Sequence, residues 1–329
     1  MTTTTTTTMT AVTQRRYGGP DTLETAAVPI PVPGPHDVLI RVEAAALNPA
    51  DAYLMRGIPR VVRLAAGLRR PRRPVRGTDA AGTVVAVGDS VAGFRRGDRV
   101  FGEARGSLAQ YAVADQARIA RLPHDVPAEA AAASVMAGLA ALHGLRAARL
   151  EAGHTLLVNG ASGGIGHLAL QIATAQGAIV TGVCSTANVP WVSELGAQRV
   201  VDRTGDSVLD LAERFDVVFD NVGDHRVRDL LAITADGGTV VSNSGAQGAD
   251  GGPMRRMALA RWLNLTTRDR RIVTYYSSPR RADLETLARM LAEGTLQPHI
   301  GSRYGLRDAA DAMDRVESRH PGGKVVLTP

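Results

Sequence analysis

The sequence predicts an α/β protein of two parts, a mostly β domain followed by a doubly wound parallel-sheet domain. Short alternating apolar runs separated by Pro and Gly turns fill the first 124 residues, a pattern typical of a compact β domain. Beyond them, apolar strands alternate with helical stretches, which indicates a parallel sheet with helices on both faces. With 329 residues the chain is long enough for two cores.

The first domain contains predicted strands such as "DVLIRVEAAAL" and "AAGTVVAVG". Before them, residues 1–9 are rich in threonine and lack the basic start and apolar stretch of a signal peptide, so they predict a disordered leader. We assign 1–124 to this domain together with 296–329, because the closing strand "GGKVVLTP" is expected to rejoin it. The second domain is then 125–295.

The one strong charge cluster in the sequence is the arginine-rich insertion Arg60 to Gly77. This insertion could guide an anionic substrate, a carrier protein or a membrane surface, or be a solvated helix followed by a proline-broken loop. An aromatic content of only 4% argues against a stacking surface, so no nucleic acid partner is expected.

The segment from Ala128 to Leu145 is the nearest approach to a membrane span, but it is mostly alanine and contains Glu129 and His143. It predicts helix packed on a core and no membrane span. Cys184 is the single cysteine, which excludes an internal disulfide and a structural zinc site built on several cysteines. A reducing, cytoplasmic location suits this composition.

A glycine-rich turn, "NGASGGIG", follows the predicted strand "TLLVNG". The helix after it has Ile165, Leu168, Ala169 and Ile172 on one face, so the glycines lie at a strand-to-helix turn. This context fits a dinucleotide fingerprint in which Gly163 lets the backbone approach a pyrophosphate and Gly166 lets the helix pack closely. The candidate phosphate-binding residues are Ala161, Ser162, Gly163, Gly164, Ile165 and Gly166.

The same letters fit the turn of short-chain reductases, but those enzymes need a Tyr-x-x-x-Lys pair. Lys324 is the only lysine and His320 stands four places before it, so that pair is absent and the family is rejected.

The next strand, "AIVTGVC", ends where an acid would bind the ribose 2′-hydroxyl of NAD. Ser185, Thr186 and Asn188 follow it instead, which favours NADPH over NADH, although NADH stays possible. Arg203 could supply the cation that a 2′-phosphate requires, or be a plain surface arginine.

Motifs through nearly the whole chain resemble the medium-chain dehydrogenase/reductase superfamily, specifically its zinc-free quinone oxidoreductase branch. The matching stretches include "ALNPADAYLMRG", "RGTDAAGTVVAVGDSV", "NGASGGIG", "ELGAQRVVD" and "HPGGKVVLTP". The resemblance implies a GroES-like catalytic domain and a Rossmann cofactor domain.

Zinc-dependent relatives would carry a cysteine where Asn48 stands and a His-Glu pair where Thr78 and Asp79 stand, so no metal is expected. Hydride transfer to an acceptor that is already electrophilic, a quinone or an activated C=C bond, fits best. The resemblance implies catalytic roles for Asn48, which could instead cap a turn, and for Tyr53, which could be a half-buried aromatic. Asp51 is grouped with them, although it is expected to organise the loop.

The resemblance departs from the family pattern at Ala187, Arg203 and Gly322, which makes the preference for NADPH less secure. Asn221, Ser242 and Gly245 end two predicted strands on the carboxyl side and are assigned to the nicotinamide half of the cofactor. Lys324 is also grouped with the cofactor residues.

The expected protein is therefore a zinc-independent, NADPH-dependent oxidoreductase of quinones or enones. An NAD(P)-dependent alcohol or aldehyde dehydrogenase, or a nucleotide-binding protein without turnover, stays open. A homodimer is expected through the edge segment Arg271 to Ser278. The helix from Pro253 to Leu265 is expected to pack or contact the partner, with a substrate lid as the other possibility.

Overall fold

The computed structural model describes residues 7–243, 249–250, 253–267, 269–318 and 322–329. The chain forms two compact units. Unit 1 comprises Met1–Met136, Pro279–Gly294 and Pro298–Pro329, and unit 2 comprises Ala137–Ser278 and Thr295–Gln297.

Strands and helices are numbered separately in chain order over the described residues. The strands are β1 (Thr8–Gln14), β2 (Leu23–Pro29), β3 (Asp37–Leu47), β4 (Asp79–Val87), β5 (Arg99–Glu103), β6 (Tyr111–Asp115), β7 (Ile119–Arg121), β8 (Thr155–Asn159), β9 (Ile179–Cys184), β10 (Arg199–Asp202), β11 (Phe215–Asp220), β12 (Thr234–Ser242), β13 (Arg271–Val273), β14 (Ile300–Gly305) and β15 (Lys324–Thr328). The helices are α1 (Pro49–Arg56), α2 (Val62–Ala66), α3 (Ala128–Ala148), α4 (Gly166–Ala175), α5 (Val189–Ser193), α6 (Val227–Ala232), α7 (Pro253–Thr266), α8 (Arg281–Ala292) and α9 (Ala309–Glu317).

Unit 2 is built on a parallel sheet with strand order β10-β9-β8-β11-β12-β13. The order reverses between β8 and β11, which is the topological switch point of a doubly wound Rossmann fold. Strand β8 is buried along Leu156, Leu157 and Val158, and α4 buries Leu168, Ala169 and Ile172 on the face that the 3.6-residue period predicts. The predicted Rossmann domain is confirmed.

Unit 1 is mostly β, with a seven-stranded sheet in which β3 is the central strand. Strand β3 pairs with β4, β6 and β15, all antiparallel. The pairing of β15 with β3 returns the end of the chain to the first domain, as predicted. The core of unit 1 is filled by small and branched apolar side chains such as Val38, Ile40 and Leu108.

The start of the chain departs from the prediction. Strand β1 begins at Thr8, inside the stretch expected to be a disordered leader, and pairs antiparallel with β2 from the Thr8–Pro29 pair onward. Met9 is buried against Ala11 and Ala109. The composition of these residues alone predicts disorder. Backbone pairing and the small apolar cluster hold them in a defined strand instead.

The compact units also divide the chain differently from the predicted boundaries. Helix α8 and the first turns of α3 lie in unit 1, whereas composition placed them in the second domain. Helix α8 buries Leu284, Leu287 and Leu291. An amphipathic helix can therefore belong to a different unit from the residues that come directly before it in the sequence.

Helix α3 is long and apolar enough to cross a membrane by length and composition, and among the described residues it is the single helix with this property. Its most apolar window is 72% buried inside the protein, so α3 is a core helix.

Helix α7 exposes several large apolar side chains, although the Arg228 guanidinium lies over the Trp262 ring at 5.3 Å. Met257, Trp262 and Leu265 are exposed, whereas Arg256, Ala260 and Leu263 are buried. Because the helix buries Arg256, the three exposed side chains lie outside the buried core that the described residues form. Contact with a partner stays a prediction.

Candidate functional site

The glycine turn lies between β8 and α4, as the fingerprint requires. Gly160 has a positive φ of 81°, and the N–H of Gly163 donates to the Gly160 carbonyl at 2.9 Å. A Cβ on Gly166 would lie 2.1 Å from that same carbonyl oxygen, so only glycine fits where the helix begins.

This turn fits the pyrophosphate of a dinucleotide. Ser162, Gly163, Gly164 and Ile165 are all half-buried, whereas Ala161 and Gly166 are buried. The first N–H groups of α4 and its dipole favour an anion at this end. The structure places the six predicted phosphate-binding residues in one turn, but their contact with a cofactor stays a prediction.

The residues after β9 form a small hydrogen-bonded cluster. The Asn188 amide donates to Ser185 Oγ at 2.9 Å, and the Trp191 indole donates to Asn188 Oδ1 at 3.0 Å. Thr186 is exposed, and its hydroxyl lies 2.7 Å from that of Thr204. The hydroxyl groups expected near the adenosine ribose therefore lie together at the end of β9.

An acid that sequence reasoning missed lies beside this cluster. Asp202 ends β10 and is paired in register with Cys184 at the end of β9. Hydrogen bonds from Thr186 and Thr204 hold the pKa of the Asp202 carboxyl below its usual value. Because the acid comes from the neighbouring strand, reading only the residues after β9 does not reveal it.

Arg203 is exposed, directly after Asp202, and its backbone N–H donates to the Cys184 carbonyl at 2.9 Å. Within the described ranges its guanidinium forms no ion pair with an acid. The Cys184 thiol itself is buried, and burial raises its pKa to about 11. It is a packing residue at this edge of the sheet.

The carboxyl ends of β11 and β12 are held by a buried ion pair. The Arg256 guanidinium, on α7, donates to Asp220 at 2.5 Å and to Ser242 Oγ at 2.8 Å. Asp220 also accepts from the Asn159 amide at 2.9 Å and from the backbone of Val222 and Gly223. Arg256 therefore links the ends of β11 and β12, and Asp220 links them to the end of β8 through Asn159.

Of the three residues assigned to the nicotinamide half, two are described. Ser242 Oγ accepts from Arg256, and Asn221 Oδ1 accepts from the Asn243 amide at 2.9 Å. Gly245 lies outside the described residues. Sequence reasoning missed Arg256 and Asp220, which stand 36 positions apart.

In unit 1 a buried polar cluster surrounds Asn48. The Lys324 ammonium, at the start of β15, donates to Asn48 Oδ1 at 2.5 Å and to the Leu47 carbonyl at 3.2 Å. The Asn48 Nδ2 group donates to Asp79 Oδ2 at 2.8 Å, and the Met136 N–H donates to the same oxygen at 3.0 Å. These contacts fix the orientation of the Asn48 amide.

The alternative role of Asn48 as a helix cap stays open. Asn48 is the N-cap residue of α1 and shares a capping box with Asp51, while its side chain also bonds Lys324 and Asp79. Asp51 supplies the polar contact at this helix start, since its carboxylate accepts from the Asn48 backbone N–H at 2.9 Å. Tyr53, on α1, is half-buried.

Burial and charge set the protonation of this cluster. Burial raises the pKa of Asp79 to about 7, despite the opposing effect of the Lys324 ammonium. Burial likewise raises the pKa of Asp51 and lowers that of Lys324. With a pKa of about 7, the Asp79 carboxyl changes its charge near neutral pH.

No group of three or more His, Cys, Asp or Glu side chains in the described part of the chain is placed to hold a metal ion. At the position where zinc-dependent relatives carry their ligands, Lys324 contributes a positive charge against Asn48.

A Rossmann sheet with a glycine turn, in a chain that also forms a β-rich unit completed by β15, defines a dinucleotide-dependent class of proteins. Two family models match the chain. Residues 34–124 match the alcohol dehydrogenase GroES-like domain, and residues 195–327 match the zinc-binding dehydrogenase model.

Relatives match over nearly the whole length. The chain is 31% identical to the chloroplast envelope quinone oxidoreductase homolog of Arabidopsis thaliana over 98% of both chains. It is 32% identical to the quinone oxidoreductase of Lama guanicoe over 97% of both. The structure of the quinone oxidoreductase from Coxiella burnetii superposes with a TM-score of 0.86 at 26% identity, covering 98% of this chain and 100% of that one.

The chain therefore belongs to the medium-chain dehydrogenase/reductase superfamily, in its quinone oxidoreductase-like branch. It is an NAD(P)-dependent oxidoreductase that acts on a small molecule.

Proposed function

We propose that this protein is a zinc-independent, NADPH-dependent reductase of quinones or activated C=C bonds. The observation that carries the proposal is the buried contact of Lys324 with Asn48 and of Asn48 with Asp79. It supports a site that binds an acceptor oxygen through an oriented amide, without a metal ion.

The donor set supports zinc independence. An amide and a hydroxyl, from Asn48 and Thr78, are poor replacements for the thiolate and imidazole ligands that zinc prefers. The ammonium of Lys324 adds electrostatic repulsion, since it lies 2.5 Å from Asn48 Oδ1. The matched C-terminal family model is described as zinc-binding. The test of zinc independence therefore includes a metal analysis of the purified protein.

The nicotinamide cofactor supplies a hydride when bound, and the glycine turn of unit 2 would hold its pyrophosphate. Asn48 would donate its second Nδ2 hydrogen to the acceptor oxygen as negative charge develops there. Lys324 and Asp79 fix the amide so that its nitrogen, and not its oxygen, is the group available. Tyr53 is the candidate second donor or stacking surface on the same unit.

The decisive experiment follows the absorbance of NADPH, and separately of NADH, with quinones, enones, aldehydes and alcohols, together with zinc analysis of the same sample. The proposal expects metal-free oxidation of NADPH by quinones or enones. Alcohol turnover that depends on zinc would overturn it. NADPH binding without consumption of any acceptor would favour a nucleotide-binding role instead.

The role of Asn48 is tested with Asn48→Ala. Loss of one preorganised donor lowers kcat by roughly 100-fold, whereas the KM for the cofactor changes little. Thr83→Ala, on β4 of the same unit, is the control, because the Thr83 hydroxyl bonds only the partly buried Glu43 in the described structure. Equal activity of Asn48→Ala and wild type would remove Asn48 from the mechanism.

The preference for NADPH rests on Arg203 and on the hydroxyl groups after β9, and the ionised Asp202 opposes it. Arg203→Gln is expected to raise the KM for NADPH about tenfold and to leave the KM for NADH unchanged, because only NADPH carries the 2′-phosphate. Arg214→Gln removes another exposed arginine of unit 2 and serves as the control. A wild-type protein that prefers NADH would contradict the assignment.

A further inference from the structure

The positive charge of the protein comes from one short segment. The chain carries 38 basic and 32 acidic residues, and eight of the arginines lie between Ala52 and Thr78, a stretch without a single acid. The other 30 basic residues are outnumbered by the 32 acids. Without this segment the chain would be slightly acidic, so the net charge of +6 is a local property.

Most of these arginines are free to meet a ligand. Arg56 pairs with Glu317, and Arg63 stacks on the Tyr17 ring at 4.5 Å. Five others are exposed and make no ion pair with any acid that the structure describes, namely Arg60, Arg69, Arg70, Arg72 and Arg73.

Aliphatic side chains are exposed among these arginines. Val61, Leu64 and Leu68 are 63–65% exposed, and Ile58 is 42% exposed. Unit 1 has few other large apolar side chains as exposed as these, Val32 being one. We call the exposed residues between Ile58 and Arg73 the 58–73 surface.

This surface is carried on an ordered scaffold. The Tyr17 hydroxyl donates to the Gly67 carbonyl at 2.6 Å, and the Arg72 N–H donates to the Ala66 carbonyl at 2.8 Å. The second bond folds the arginine-rich loop back onto the end of α2. The Gln14 N–H then joins the Pro74 carbonyl to β1 at 2.8 Å. Apolar and basic residues are thereby kept close together.

We propose that the 58–73 surface binds the anionic surface of a phospholipid bilayer. Arginine attracted to acidic headgroups, with leucine, isoleucine and valine entering the boundary with the acyl chains, is the chemistry of a peripheral membrane contact. A nucleic acid would favour exposed aromatic side chains, and the segment has one aromatic, the half-buried Tyr53. An acidic protein would match the arginines but not four exposed aliphatic side chains among them.

The test is co-sedimentation of the full chain with two kinds of vesicle, phosphatidylcholine alone and phosphatidylcholine mixed with phosphatidylglycerol. Binding is expected to the anionic vesicles only and to fall as salt is raised. Changing Arg69, Arg70, Arg72 and Arg73 to Gln lowers the affinity by at least about tenfold, because each arginine near an anionic leaflet contributes several-fold.

A matched control removes the same charge elsewhere. Arg96, Arg214, Arg255 and Arg261 are exposed and lie outside the segment, and their change to Gln is expected to alter the affinity less than about threefold. The apolar contribution is tested with Leu68→Ser, expected to weaken binding, against Val32→Ser, which removes a side chain that is 88% exposed and is expected to have no effect. Thermal melting and NADPH oxidation confirm that the variants fold.

Three outcomes would overturn the proposal. Anionic vesicles that do not bind the wild type exclude a lipid surface. Equal losses in the two quadruple variants would show a general effect of net charge. Binding of soluble polyglutamate or RNA with the same dependence on the four arginines, and no vesicle binding, would assign the surface to an acidic protein or a nucleic acid.

Discussion

Lys324 is buried and its ammonium is the positive charge nearest to the Asn48 amide. Its removal leaves Asp79 in an apolar interior without a counter-charge. Lys324→Met is therefore expected to lower the free energy of unfolding by about 3–5 kcal/mol. The double variant Lys324→Met, Asp79→Asn removes both charges and is expected to recover at least half of the loss in urea denaturation. A double variant as unstable as the single one would show that packing of the lysine stem, and not charge, is responsible.

The pKa of Asp79 gives this residue a defined pH dependence. Because the pKa is raised from 3.8 to about 7, the folded protein holds the proton more tightly than the unfolded chain does. The contribution of Asp79 to stability is therefore fully present below pH 3.8 and is lost as the pH rises through about 7. Asp79→Asn is expected to flatten the stability curve between these values, measured by denaturation across the range. If the stability curves of the wild type and Asp79→Asn had the same slope, the titrating group would be a residue other than Asp79.

The sequence motif predicts Asn48 as a site residue but does not predict its hydrogen-bond partners. Its contact with Lys324 joins positions 276 apart in the sequence. Such a contact depends on β15 returning to β3, and single-sequence patterns do not give the register of that pairing. The unusual position of the only lysine, in a buried closing strand, was the signal that would have pointed to it.

At the level of elements, a buried arginine links α7 to the ends of β11 and β12. Arg256 bonds Asp220 and Ser242 and lies 3.6 Å from Asp250. Arg256→Met leaves two buried carboxylates with fewer partners, so unfolding is expected to become easier by about 3–5 kcal/mol. Arg255→Met is the control, since Arg255 is the exposed neighbour on the same helix and its change is expected to cost less than about 0.5 kcal/mol.

The glycine turn makes a second prediction for this unit. In Gly166→Ala the new methyl group would meet the Gly160 carbonyl, so the turn must open and NADPH affinity is expected to fall at least about tenfold. Gly305→Ala is the control, because its Cβ would make only an ordinary contact at 3.4 Å with Asp308. Fluorescence titration with NADPH measures both. Unchanged affinity in Gly166→Ala would mean that the pyrophosphate lies elsewhere.

Strand-to-helix turns are predictable from sequence because glycine positions report backbone constraints directly. The buried face of α4 follows from the 3.6-residue period of its sequence, whereas the strand order β10-β9-β8-β11-β12-β13 depends on long-range pairing that local patterns do not specify. The rotation of α7 was not predictable from its own sequence. Arginine is rarely buried without an acidic partner, and the partner of Arg256 is Asp220, 36 positions away in the sequence.

At the scale of the whole molecule, the expected homodimer concerns β13 and α7. Strand β13 is the last in its sheet, but the Asn264 side chain bonds both the N–H and the carbonyl of Ile272 at 2.8 Å. This edge is therefore already satisfied at its centre, which protects it from strand addition. A partner would have to pair with the residues after Val273 or cover the exposed apolar side chains of α7.

We expect the protein to elute at twice its monomer mass of 34.6 kDa. Trp262→Glu and Tyr276→Glu place charge on side chains that are 49% and 90% exposed, and are expected to give monomers. Val32→Glu alters an equally exposed side chain of unit 1 and is expected to leave the dimer intact. Elution of the wild type as a monomer would refute the expected dimer.

The burial of Cys184 has a chemical consequence for an enzyme offered quinones and enones. Such molecules alkylate soft nucleophiles by conjugate addition, and the thiolate is the reactive form of cysteine. This chain has one thiol, buried and protonated because its pKa is raised to about 11, and one lysine, buried beside Asn48. Electrophilic acceptors therefore encounter no accessible thiolate or lysine amine on the protein that reduces them, and the catalyst is protected from covalent self-inactivation at these side chains.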